Sequence, residues 1–158
     1  MAQPTMSQSY QVQEESCACM AAHMQKWEEK QQAHQQEQKK SLFVKKDMQL
    51  DKNTLYSEIY GPCLYITAQE IVYQQCYYDK TNQNFAPTIQ HLDGMCRCRS
   101  DAAVAFLQPY GGPLVAALLT QNPNATDPLE MVLNSGDYNS AIGEQHMACF
   151  NKYTQKNP

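Results

Sequence analysis

Apolar side chains recur along this chain every three or four residues, and nowhere do they sustain a strict apolar/polar alternation, so the pattern predicts helices and no sheet. Residues 11–40 contain no Gly or Pro and are rich in Gln, Glu, Lys, Ala and Met, which favours one long helix. Tyr10, Cys17, Met20, Met24 and Trp27 fall on alternating seven-residue positions of it, and Gln31, His34 and Gln38 continue the seam as polar residues. A free-standing coiled coil needs an apolar seam over several heptads, so the expectation is a helix whose middle docks while its far end is solvated or lies on a partner. Leu42-Phe43-Val44 reads as an anchor in a linker, and the segment from Asp51 to Asn53 as a turn.

The remainder is a series of shorter helical stretches. Residues 54–60 form a first turn or two, broken at Gly61-Pro62, with Pro62 opening a new helix whose inner stripe is Tyr65, Ala68, Val72 and Cys76. Residues 79–87 read as a polar loop. Thr88 caps a helix with Ile89, Leu92 and Cys96 inward, and Ser100-Asp101 offers a second start. Residues 108–112 (Gln-Pro-Tyr-Gly-Gly) break that stretch, and Pro113 opens a segment, 114–119, that is apolar all round and so central to the core or covered by another chain. Asp127-Pro128 starts a short helix closed by Gly136, and residues 140–153 form the last, with Ile142, Cys149 and Tyr153 inward. The expected fold is all-α: a small irregular bundle of five or six helices with a long N-terminal helix, cross-linked through some of its cysteines. Residues 1–50 are an extension (long helix and linker) and 51–158 the helical body.

Composition narrows the function. With 158 residues, 42% hydrophobic and 18% charged, the chain can build one core and is not a highly charged disordered polymer. A net charge of −4 opposes general nucleic-acid binding, which needs a surplus of Lys and Arg. Seven of the twelve basic residues (Lys26, Lys30, Lys39, Lys40, Lys45, Lys46, Lys52) lie between 26 and 52, but interspersed acids make this a solvated face. The longest uninterrupted apolar run, 113–119, is far short of a bilayer span, so no transmembrane segment is expected. The first ten residues show neither a basic-plus-apolar secretory signal nor an Arg-rich transit pattern.

Seven cysteines, Cys17, Cys19, Cys63, Cys76, Cys96, Cys98 and Cys149, are the strongest chemical feature. Cys-x-x-Cys is absent, which removes thioredoxin-type exchange and common zinc spacings. Cys-x-Cys occurs twice, and on a helix residues two apart point about 200° from each other, so each pair is suited to cross-linking one helix to two neighbours. An odd number leaves at least one thiol free or paired with another chain, and the sequence does not choose the pairing. Helices stapled side by side are similar to those of small proteins oxidised in the mitochondrial intermembrane space, although the twin Cys-x9-Cys spacing of that group is missing. A metal set drawn from Cys17, Cys19, His23, Cys96 and Cys98 is conceivable, with Cys19 and His23 one turn apart, as is His146 with Cys149, three apart, but solvated histidines are the plainer reading. The six glycines form no phosphate-binding loop, and no acidic pair suits general acid–base work. Asn124-Ala-Thr126 is a glycosylation sequon of the kind nine Asn produce by chance.

The expectation is therefore a non-catalytic accessory or structural subunit of a larger assembly of other protein subunits, in an oxidising compartment, the mitochondrial intermembrane space before the extracellular space. It needs no cofactor, no nucleic acid and no small ligand. Its contact surface includes Tyr10, Met20, Met24, Trp27, Tyr73, Tyr77 and Tyr78, because Tyr buries a broad face yet keeps a hydroxyl at a wet edge. A secreted, disulfide-stapled helical module binding a small apolar ligand or a receptor is the second expectation, and a thiol-based metal or redox protein the third.

Overall fold

A computed structural model describes residues 6–38 and 50–154, all helix and connecting turns with no strand among the described residues. The fold is all-α, with a long N-terminal helix and three disulfides. The Leu42-Phe43-Val44 anchor and Lys39, Lys40, Lys45 and Lys46 lie outside the described residues.

The 33-residue helix α1 (Met6–Gln38) comes first. A second run starts at α2 (Lys52–Thr54), where the Asp51 carboxylate accepts the Thr54 N–H at 2.8 Å. It widens to π winding over Leu55–Tyr60, tightens to 3-10 over Gly61–Cys63 and continues as α3 (Leu64–Tyr78). The expected interruption at Gly61-Pro62 is thus a change of winding within one helical path. Pro62 has no N–H to offer the preceding turn, and the altered winding accommodates that loss.

The expected loop 79–87 instead contains α4 (Lys80–Phe85), because the Asp79 carboxylate caps it by accepting the N–H groups of Thr81 and Asn82. The largest correction follows: α5 runs unbroken from Ile89–Gln121, through both Pro109 and Pro113 and past the supposed second start at Ser100-Asp101. Both prolines are exposed, and the carbonyls they leave unbonded belong to the exposed residues Ala105 and Pro109, where water can serve them. Packing on the other side keeps the helix continuous. Gly111 and Gly112 are buried where α5 crosses the 55–63 stretch, and a Cβ on either would strike backbone, the Gly61 carbonyl for Gly111 and the Ser57 carbonyl at 2.7 Å for Gly112. The Gly pair is therefore a backbone-to-backbone crossing rather than a break. Continuity gives α5 the length and apolar composition to cross a membrane, which no short run indicated; nearly half of that stretch is buried inside the fold.

Thr88 caps α5 through the His91 N–H, and Leu92 and Cys96 are buried as expected, but Ile89 is 68% exposed. Only the first turn of the helix carries Ile89, ahead of the point where α3 and α7 cover α5. The all-apolar segment sorts itself by size: Leu114, Val115 and Leu119 go inward, while Ala116 and Ala117 are exposed. Asp127 caps α6 (Pro128–Leu133) through Leu129 and Glu130 N–H groups. Gly136 does not close α6. It opens α7 (Gly136–Thr154), since the Ser135 hydroxyl accepts the Tyr138 N–H at 3.2 Å and starts a new helix there.

α5 is the central pillar, flanked by α3 and α7, with α1 laid over the 55–63 stretch and the start of α3. The main core joins Leu64, Ala68 and Val72 of α3 to Ala103, Leu107, Val115 and Leu119 of α5, closed by Val132, Tyr138 and Ile142. A second cluster of Cys76, Leu92, Met95 and Cys96 lies under Tyr73, Tyr77, Phe150 and Tyr153.

Candidate functional site

Three cystines tie the helices together. Cys19–Cys63 joins α1 to the head of α3, Cys76–Cys96 joins α3 to α5, and Cys98–Cys149 joins α5 to α7, with Cα–Cα separations of 5.9, 5.4 and 5.8 Å. The Cys96/Cys98 pair reaches two different neighbours, as the 200° geometry requires. The Cys17/Cys19 pair does not: Cys19 is on the docked face and Cys17 is an exposed free thiol. Around the first cystine, sulfur atoms of Cys19 and Cys63 and a ring nitrogen of His23 lie within 4.8 Å of one another. That trio differs from the Cys17, Cys19, His23, Cys96, Cys98 set, because Cys96 and Cys98 are committed to α3 and α7. Its two sulfurs are bonded to each other, so as a cystine it offers no thiolate to a metal.

Between the second and third cystines lies a half-open cleft of about 260 Å³. It is lined by Val72, Gln75 and Cys76 of α3, Arg99 of α5, Leu133 of α6, and Tyr138 and His146 of α7, with Asp79 and Asn82 also on its lining. Three of these residues carry buried polar atoms with no hydrogen-bond partner among the described residues: Arg99 Nε, Tyr138 Oη and His146 Nε2. Most buried polar groups find partners, so three orphans lining one cleft stand out from ordinary packing.

The electrostatics of the cleft follow from burial. Desolvation pulls the Arg99 guanidinium below the usual arginine range, and the Asp79 charge opposes that fall. Burial pushes the Tyr138 phenol up to about 12, so it stays protonated and remains a donor. Burial, then the Arg99 charge, lowers His146, while a hydrogen bond from the ring to the Arg99 backbone carbonyl resists the shift. The Nε2 of that ring is buried and has no partner among the described residues. Asp79 itself is held below the usual carboxylate range, chiefly by the Asn82 N–H. The cleft is thus lined by a guanidinium, a phenol and an imidazole whose unpartnered atoms are buried in its wall, without a nucleophile beside a base.

The predicted contact residues fall in different places. Trp27 is buried and Met20 and Met24 are half-buried against the body, on the side of α1 that also holds Ser16, Cys19 and His23. Tyr10 is 71% exposed, off that face. Tyr73, half-buried, donates to Asp93 at 2.7 Å and stacks on Tyr77, which meets Tyr78 edge-on. Burial and the Asp93 contact raise the Tyr73 phenol, while Arg97, then Tyr73, hold Asp93 low. Tyr73 and Tyr77 therefore belong to an internal aromatic cover of the second core cluster, and Tyr78 is at its exposed edge.

Compared with protein-family models, curated proteins and solved structures, the chain matches none. The cleft residues escape the sequence reading for a simple reason. Arg99 continues the inward stripe Leu92, Cys96, Ala103, Leu107, and His146 continues Tyr138, Ile142, Cys149. A charged or polar residue at a core-facing position is the available signal; a second start at Ser100 hides it for Arg99, whereas His146 already lies between Ile142 and Cys149 on the expected inward stripe.

Proposed function

We propose that this chain is a non-catalytic accessory subunit of a larger protein assembly in an oxidising compartment, the mitochondrial intermembrane space before the extracellular space. The observation that carries this reading is an apolar surface that the fold leaves uncovered. Phe85, Ile89 and Met147 are each more than half exposed. Phe85 meets Phe150 edge-on at 5.8 Å, Met147 lies one turn before Phe150 on α7, and Ile89 follows Phe85 by four residues. Large apolar groups left this exposed are suited to burial against a partner. The three cystines support an oxidising setting, since such bonds are rare where thiols are kept reduced.

The test is native, non-reducing size analysis of the tagged full chain at its natural level. It should migrate well above its monomer mass with the same partners in constant stoichiometry. Combined Phe85→Ser, Ile89→Ser and Met147→Ser changes should release it as a folded monomer with unchanged helical circular dichroism. A wild-type chain that runs as a monomer in every fraction overturns the reading.

A further inference from the structure

We propose that the cleft between the second and third cystines binds a small organic monocarboxylate, its carboxylate held by Arg99 and Tyr138 and its short apolar stem laid against Val72 and Leu133. This does not rest on the assembly reading; a subunit or a solitary protein could carry the site.

Charge is the first argument. Arg99 is half-buried, makes no ion pair among the described residues, and has a buried Nε–H with no partner there. A guanidinium taken part-way out of water with one N–H buried and unmet is costly, and a carboxylate supplies both the opposite charge and an acceptor. Asp79 is in the same cleft but is engaged elsewhere, accepting N–H groups from Thr81 at 2.7 Å and Asn82 at 3.0 Å. Its fixed negative charge already offsets Arg99 in part, so it weakens the pull on any anion and disfavours a dianion most.

Geometry is the second. The hydroxyl of Tyr138 is buried, protonated and without a partner among the described residues, so it can donate to a second carboxylate oxygen. Val72 and Leu133 supply apolar wall, and the cleft, about 260 Å³, has room for a molecule several times the size of water, which occupies about 30 Å³ in the liquid.

Rigidity is the third. Arg99 follows Cys98 directly, His146 is one turn from Cys149, and Cys76 is itself part of the wall. The covalent ties α3–α5 and α5–α7 therefore fix the helices that line the cleft relative to α5. A cleft between fixed helices, with its donors unspent, is preorganised for a ligand.

Calorimetric titration of the isolated, oxidised full chain with butyrate, butyramide and inorganic phosphate decides it. Butyrate should bind saturably, and butyramide and phosphate about tenfold or more weaker, because the hydrogen bond to a charged partner is lost in one and Asp79 opposes the other. Arg99→Gln should weaken butyrate about tenfold or more, and Tyr138→Phe several-fold. Tyr138→Phe keeps the ring in the core, so it carries the test if Arg99→Gln does not fold. No saturable butyrate signal, equal affinity for butyramide, tighter phosphate binding, or unchanged affinity in Tyr138→Phe each overturns the site.

Discussion

Tyr138 packs its ring into the main core, 6.1 Å from Phe106, and buries a hydroxyl that has no partner among the described residues. The ring contributes by burial while the hydroxyl opposes it, because an unmet buried polar group costs about 1–3 kcal/mol. Without ligand, Tyr138→Phe should thus stabilise the chain by about 1 kcal/mol, read by urea denaturation. The combination of a stabler fold with weaker butyrate binding is the mark of a residue kept for a ligand. His146 gives a second prediction. Its folded-state pKa lies below the ordinary 6.5, through burial and the Arg99 charge, so folding favours the neutral ring. The unfolded chain takes up that proton first on acidification; stability present above 6.5 is then lost as pH falls through it toward the folded value. Asp51, Asp79 and Asp93 are also held low, but from 3.8, so their losses begin further down. Between about pH 7 and about pH 5 the unfolding free energy should fall, and His146→Gln should flatten that slope; an identical slope would remove the assignment.

The crossing of α5 over the 55–63 stretch is a helix-scale feature set by residues with no side chain. A Cβ on Gly61 would lie 2.7 Å from the Gly112 Cα, and backbone cannot swing aside as a side chain can. Gly111→Ala should therefore cost about 1–3 kcal/mol through overpacking. Gly143 is exposed inside α7, and a methyl group there would meet nothing within 4 Å. It should respond oppositely, Gly143→Ala gaining about 0.5–1 kcal/mol from helix propensity. Thermal denaturation of both variants checks the contrast. The same crossing marks the limit of what is legible in the sequence. Helix class, the caps at Thr88 and Asp127, and the Ala68-Val72-Cys76 stripe follow from local rules and are readable. Pro109, Gly111, Gly112 and Pro113 read locally as a break, because the contact that holds α5 together comes from Gly61, fifty residues earlier in the chain. The cleft is missed further upstream, where a second start at Ser100 separates Arg99 from Ala103 and Leu107 on the inward stripe.

At the scale of the molecule, the three cystines do different work from the core. The core already joins α3, α5 and α7 through Leu64, Ala68, Leu107 and Ile142, so Cys76–Cys96 and Cys98–Cys149 reinforce helices that also pack. Cys19–Cys63 is the covalent tie of α1, a helix otherwise held by Trp27, half-buried neighbours and an exposed Lys30–Glu58 pair at 3.7 Å that contributes little. Each bond removes freedom from the unfolded chain according to the loop it closes. Separations of 44, 20 and 51 residues correspond to roughly 3–4 kcal/mol apiece in the chain-entropy account. Equal thermodynamic weight does not mean equal structural consequence. Paired Cys98→Ser and Cys149→Ser changes should lower global stability by about 4 kcal/mol while amides throughout α3 and α5 weaken together, because the core still couples them. Paired Cys19→Ser and Cys63→Ser changes should instead free α1 locally: its amides exchange fast while those of α5 keep their protection. Hydrogen exchange on the two variants separates these outcomes. Uniform loss of protection in the Cys19/Cys63 variant would show that α1 is an integral layer of the core rather than an arm clamped onto it.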